Sequence, residues 1–179
     1  GVEQVINQVI RGTEPLGVTS EVMTFTHEPQ DDTVFVDGHK VSRCSIDLEV
    51  ASTPFSWRSV SRFKQLAKDA DVIHYHYPFP FSDLLHFLTG VKKPSVVTYH
   101  SDIVKQKLLL KVYRPLKRRF LGCVDRIVAT SPNYISSSAV LTAYADKTEV
   151  IPIGLDRETY CRPSTDKLKY WEGRFNGRF

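Results

Sequence analysis

Three of the six histidines in this 179-residue chain fall at two neighbouring places: His74 and His76 in DVIHYHY, and His100 in PSVVTYHSD. Each place closes a short apolar run. In a strand, alternate residues face the same side, so His74 and His76 share a face. Two such histidines could bind a metal, but no third ligand stands at a clear spacing, and no metal is assigned. Histidines that merely satisfy local partners at a strand end fit the same spacing. So does the polar edge of a site. Successive parallel strands that both end in histidine would build a cluster on one rim, and ligands of open α/β sheets bind outside the carboxyl ends of the strands. His100 is therefore the first candidate. Ser101 or Asp102 can cap the helix expected next, whose N-terminus would favour an anion. Gly1 stands at another helix start in the same way. The chain holds neither GxGxxG nor GxxxxGK[ST], which leaves dinucleotide and P-loop readings little support.

A second feature is charge. KQKLLLKVYRPLKRR carries Lys105, Lys107, Lys111, Arg114, Lys117, Arg118 and Arg119, with no acid from Ile103 to Val124. Leu109, Val112, Tyr113, Leu116 and Phe120 supply an apolar stripe, and Pro115 is expected to kink the helix. An ordinary helix with a solvated basic face accounts for this pattern. So does attraction to an anionic membrane surface or a phosphate-bearing substrate. Lys105 lies one turn past His100 and is placed to reach the site. No nucleic-acid-binding module is visible, so no nucleic-acid partner is expected.

The elements that must position these residues follow from periodicity. Val2, Val5, Ile6, Val9 and Ile10 mark an amphipathic helix, expected to stop at Arg11-Gly12 and Pro15-Leu16-Gly17. Val18 to Thr26 reads as a strand. Thr33–Val36 and Lys40–Ile46 read as a hairpin through Asp37-Gly38, with His39 lengthening the loop. Thr53 to Ser56 reads as a loop that caps the helix Trp57–Ala70 at Ser56. Strands follow at Asp71–Tyr77, Ser95–Tyr99, Asp125–Thr130 and Thr148–Pro152. Helices at Phe81–Thr89, Ile103–Leu121 and Asn133–Tyr144 separate them, the last with a break at Ser136 to Ser138. Gly90 ends the first of these, and Ser131-Pro132 starts the last. Short, apolar, unalternated strands alternating with helices indicate a doubly wound, mainly parallel α/β sheet covered on both faces. The opening helix and the hairpin are assigned to the other half of that sheet.

Composition sets outer bounds. The length allows one domain with a sizeable core. A net charge of +4 is too small to argue for nucleic acid by itself. Cys44, Cys123 and Cys161 are odd in number and far apart, which suits reduced thiols in a cytoplasmic protein. No apolar run approaches the ~20 residues of a membrane span, and no secretory signal is visible. The composition turns charged and aromatic after Asp156. Residues 1–156 are read as one domain, and 157–179 as a linker and the start of a further domain.

In order, GVEQ, ADVIHYHYPFPFSDLL, PSVVTYHSD, YRPLKRRF, VDRIVATSPNY and KTEVIPIGLD resemble the N-terminal, acceptor-side domain of a retaining glycosyltransferase of the GT-B fold, family 4. The resemblance implies a Rossmann-like domain, half of a GT-B fold. A first strand and a Gly-Gly loop are expected upstream, with Gly1 as the second glycine, next to the donor. It implies His100 near the transferred sugar as the catalytic-site residue that positions groups by hydrogen bonding. It implies His76 in the same cleft, and Ser101 and Lys105 on the acceptor side. The substrates implied are a nucleotide-diphosphate sugar donor and a lipid-linked or saccharide acceptor, in bacterial polysaccharide, lipopolysaccharide or glycolipid synthesis, with no cofactor. The departing diphosphate would assist a front-face reaction. A C-terminal domain would hold most of the donor, so these residues alone are expected to be inactive. Lys111, Arg114, Lys117, Arg118 and Arg119 would face an anionic surface, placing the enzyme in the cytoplasm or peripherally on the inner face of the plasma membrane. A stand-alone binding or regulatory module, and a GT-B sugar-nucleotide epimerase, remain alternatives.

Overall fold

The computed structural model describes residues 1–103, 107–154 and 164–175. Helix α1 (Val2–Thr13) runs through Gly12 into a 3-10 turn at Glu14–Leu16, so Arg11-Gly12 does not stop it, and the end comes at Pro15-Leu16-Gly17, where Gly17 at φ 83° closes the turn. A lone helical glycine costs about 1 kcal/mol against alanine, too little to end a helix already formed. Strands β1 (Glu21–Thr26), β2 (Asp32–Val36) and β3 (His39–Ser45) form a mixed sheet in the order β1-β3-β2, with β1 and β3 parallel. The hairpin is tighter than the sequence suggests. Val36 pairs directly with His39, which leaves Asp37 and Gly38 as a two-residue turn at φ of 48° and 85°. Positive φ at both positions is what such a turn demands, so His39 belongs to the strand. A further hairpin, β4 (Leu48–Val50) and β5 (Thr53–Phe55), occupies the stretch expected to be loop. The N-cap of α2 (Arg58–Asp69) is Trp57, one residue after the expected Ser56, whose Oγ accepts from the Ser59 N–H at 3.3 Å.

The second sheet carries the core. β6 (Ile73–Tyr77), β7 (Ser95–Tyr99), β8 (Arg126–Ala129) and β9 (Thr148–Val150) lie parallel in that order. Between them run α3 (Pro80–Thr89), α4 (Lys107–Cys123), α5 (Pro132–Ser137) and α6 (Ala139–Thr142). Gly90, at φ 62°, closes α3. Ser131 caps α5, and the expected break falls at Ser138. The helix α4 continues across Pro115. An exposed helix, α7 (Thr165–Phe175), lies in the terminal stretch.

One expectation about the sheet needs correction. No ladder joins the β1-β3-β2 sheet to the four-stranded one among the described residues; aromatic packing links them instead. Phe25 of β1 meets Phe79 and Phe81 at ring distances of 5.3 and 5.8 Å, and Phe55 meets Phe81 at 4.8 Å. The four-stranded sheet is not covered equally on both faces. Ile73, Tyr75, Tyr77, Val97, Tyr99, Ile127 and Ala129 are buried on one face, with Ala67, Phe120, Leu121, Val124 and Leu141 from the helices. Burial of such side chains contributes roughly 1.5–3 kcal/mol each. On the other face His74 and Arg126 are exposed, His76, Val96 and Val128 are half-buried, and Thr98 is buried. The short apolar runs conceal this alternation because valine stands on the open side too.

Candidate functional site

The ladder between β6 and β7 sets the site. Tyr77 pairs with Tyr99 and His76 with Thr98, so the tyrosines point to the closed face and His76 and Thr98 to the open one. The His100 N–H donates to the Tyr77 carbonyl at 2.9 Å, which carries the pairing one residue past β7. His100 thereby joins His76 on the open face. His76 Nδ1 and His100 Nε2 lie 2.9 Å apart, with rings stacked at 5.3 Å and 19°. His74 packs against His76 at 4.4 Å, and its Nε2 lies 2.7 Å from Thr98 Oγ1.

Burial lowers the pKa of His76 to about 3, helped by repulsion from His74 and His100, and burial lowers His100 as well. Both imidazoles are therefore neutral near pH 7. Two neutral imidazoles carry two N–H groups in all, and one lies between the rings. Of the remaining nitrogens, His76 Nε2 and His100 Nδ1, one is then a donor and the other an acceptor. That combination suits a hydroxyl group, which both donates and accepts. Among the described residues no group of three or more His, Cys, Asp or Glu is arranged to hold a metal ion.

The other expected site residues are placed differently. Ser101 is exposed beside His100. Lys105 lies outside the described residues. The amino group of Gly1, at the start of α1, donates to Gln4 Oε1 at 3.2 Å; no hydrogen bond among the described residues joins it to the histidines. On α4, Lys111, Arg114 and Arg118 are exposed, while Lys117 is half-buried. The Arg119 guanidinium sits 4.9 Å over the Phe87 ring. Val112, expected in the apolar stripe, is 77% exposed among these cations, while Tyr113 and Leu116 are half-buried and Phe120 and Leu121 buried on the inward face of α4. Asp102 reaches back: its Oδ1 accepts from Tyr99 Oη at 2.8 Å and Ser138 Oγ at 3.2 Å.

Sequence reasoning passed over Asp83. It is fully buried in α3 and accepts a hydrogen bond from Tyr113 Oη. Burial raises its carboxyl to about 7, against the opposing pull of Tyr113, Ser82 and Lys117. The available signal was an acid inside the apolar run PFSDLLHFL. Of the thiols, Cys44 is buried and pushed up to about 11 by desolvation, Cys123 is exposed, and Cys161 is outside the described residues.

The chain is thus an α/β domain whose parallel sheet ends, on its more open face, in a hydrogen-bonded histidine pair. Residues 1–159 match Glycosyltransferase Family 4, and the chain belongs to that family. It is 51% identical to the D-rhamnosyltransferase WbpZ of Pseudomonas aeruginosa over all 179 residues, 47% of that protein. It is 45% identical to the O-antigen chain mannosyltransferase C of Escherichia coli, again over the whole chain and 48% of that protein. The chain thus spans about half the length of these curated relatives. Its fold matches sucrose-phosphate synthase from Thermosynechococcus elongatus at a TM-score of 0.70 and 16% identity, over 95% of this chain and 47% of that one. The domain is the N-terminal Rossmann-like half of a GT-B architecture.

Proposed function

We propose that this chain is the acceptor-side half of a retaining glycosyltransferase that moves a sugar from a nucleoside-diphosphate donor to a saccharide or lipid-linked acceptor in bacterial surface-polysaccharide synthesis. The observation that carries the reading is the neutral His76–His100 pair at the carboxyl end of β6 and β7 in a family 4 chain. Its free donor and acceptor would orient hydroxyls of the sugar or the acceptor, with His100 as the positioning group and not a nucleophile. Ser101 and Lys105 follow His100 in the chain and would extend the acceptor side. Gly1 would approach the donor at the start of α1. Charge on the departing diphosphate would be met by helix N-termini and cationic side chains, with no resident cofactor. The relatives' names point to mannose or rhamnose, its 6-deoxy form, as the sugar transferred. In the full-length protein, His100→Ala is expected to lower transfer on the order of 10²-fold with the fold intact. Near-normal turnover would remove His100 from the site.

The exposed Lys111, Val112, Arg114 and Arg118 on α4 support peripheral attachment to the anionic inner face of the plasma membrane. No helix among the described residues is long and apolar enough to cross a membrane. Co-sedimentation with anionic vesicles is expected at low salt. Binding should fall at high salt and when Lys111, Arg114 and Arg118 become Glu. Salt-independent binding, or binding that survives the triple change, would overturn the attachment.

A further inference from the structure

His100 and Ser101 stand on a segment that has left the sheet. The last ladder bond is the His100 N–H to the Tyr77 carbonyl. Beyond that point Ile103 packs on the core, and the Asp102 carboxylate makes the polar contacts that fasten the chain. Its Oδ1 accepts from two donors that are themselves immobilised. Tyr99 is fully buried, with its ring stacked on Tyr77 at 4.4 Å and 14°. Ser138 is 1% exposed at the α5–α6 junction, where its Oγ also accepts from the Leu141 N–H at 3.3 Å. Having accepted there, the Ser138 hydroxyl donates its proton to Asp102. The half-buried Lys117 of α4 also attracts the carboxylate. One side chain thus ties the segment after β7 to the strand it left and to the start of α6.

We propose that Asp102 is a positioning residue for the transfer: by fastening this segment to Tyr99 and Ser138, it holds His100 against His76. Its kinetic part rests on the transferase reading above; its structural part does not. A carboxylate that only capped α4 would leave His100 free to swing about its backbone. With the clamp in place, the 2.9 Å contact between the rings is set before any substrate arrives. Misplacement of a positioning group by about 1 Å can cost on the order of 10²-fold in rate.

The test uses the full-length protein with two readouts. Asp102→Ala is expected to lower kcat by roughly 10- to 10²-fold with the donor KM little changed. Asp102→Asn keeps an acceptor oxygen at this place and should restore most of the rate. Adding Ser138→Ala to Asp102→Ala should cost nothing further in kcat, because the contact between Ser138 and residue 102 is already lost in Asp102→Ala. The second readout is the imidazole nitrogen NMR signals of His76 and His100, which should shift in Asp102→Ala as the hydrogen bond between them loosens. Tyr99→Phe keeps the ring stack and removes only the hydroxyl, so it carries the same test if Asp102→Ala does not fold. Unchanged imidazole signals in a folded variant, or Asp102→Asn no better than Asp102→Ala, would overturn the proposal. If His100→Ala proves fully active, the transferase reading falls, and the NMR signals alone decide whether Asp102 sets the pair.

Discussion

The two faces of the four-stranded sheet are built from the same strands and have opposite characters. Tyr75, Tyr77, Val97 and Tyr99 point to one face, beneath the helices, where Tyr77 and Tyr99 stack and Asp83 is sealed in without solvent. His74, His76 and His100 point to the other, partly open, face and pair with each other or with Thr98. The difference teaches how a single residue step along a strand separates stability from chemistry. The closed face buys order through apolar area. The open face holds polar rings with one spare donor and one spare acceptor. Asp102 joins the two, because its donor Tyr99 belongs to the closed face and its neighbour His100 to the open one.

The largest effect that tests this separation is on stability. Phe120→Ala removes a fully buried ring that packs edge-on to Tyr75 at 5.1 Å. It is expected to cost about 3–5 kcal/mol. His76→Ala, one residue from Tyr75, should cost only about 1 kcal/mol, the net worth of one hydrogen bond, while impairing transfer as His100→Ala does. Urea unfolding and turnover, measured on the same full-length variants, read both quantities. If His76→Ala proves as destabilising as Phe120→Ala, the histidines are core, and the separation of faces fails.

Much of this contrast was legible in the residues. The four parallel strands, the Gly90 stop, the Ser131 cap and the break at Ser138 all rest on local signals that tertiary packing did not override. The pairing of His76 with His100 follows from two strands ending in histidine. What local pattern could not supply was the third dimension. Val96 and Val128 are as apolar as the buried Val97, so nothing in the runs marked one face as open. Leu48–Val50 and Thr53–Phe55 turn through Ala51 and Ser52 at φ of 54° and 60°, a geometry that carries no glycine or asparagine to announce it. Asp102 reads as a cap by its place in the sequence, yet its partner Ser138 lies 36 residues away. Long-range partners of this kind have no local signature.

A smaller effect sharpens the comparison through pH. The Asp83 carboxyl sits among Tyr75, Tyr77, Tyr113, Ser82 and Lys117, and burial raises it from its ordinary 3.8 to about 7. The fold therefore favours its protonated form. The stability it contributes is present below about pH 4 and is lost as pH rises through about 7. His76 faces His74 and His100, and burial lowers it from 6.5 to about 3. Its neutral form is favoured, so its contribution is present above about pH 6.5 and is lost as pH falls through about 3. The two faces thus tilt stability in opposite directions across the same range. Asp83→Asn keeps an acceptor for Tyr113 and removes the titration. Its stability relative to the unchanged protein is expected to improve steadily from pH 4 to 7. His76→Gln should instead gain relative to the unchanged protein as pH falls from 6.5 towards 3. Urea midpoints at a series of pH values measure both slopes. Parallel curves for the unchanged protein and Asp83→Asn would mean that the closed face stores no proton, and slopes of the same sign for both variants would erase the opposition between the faces.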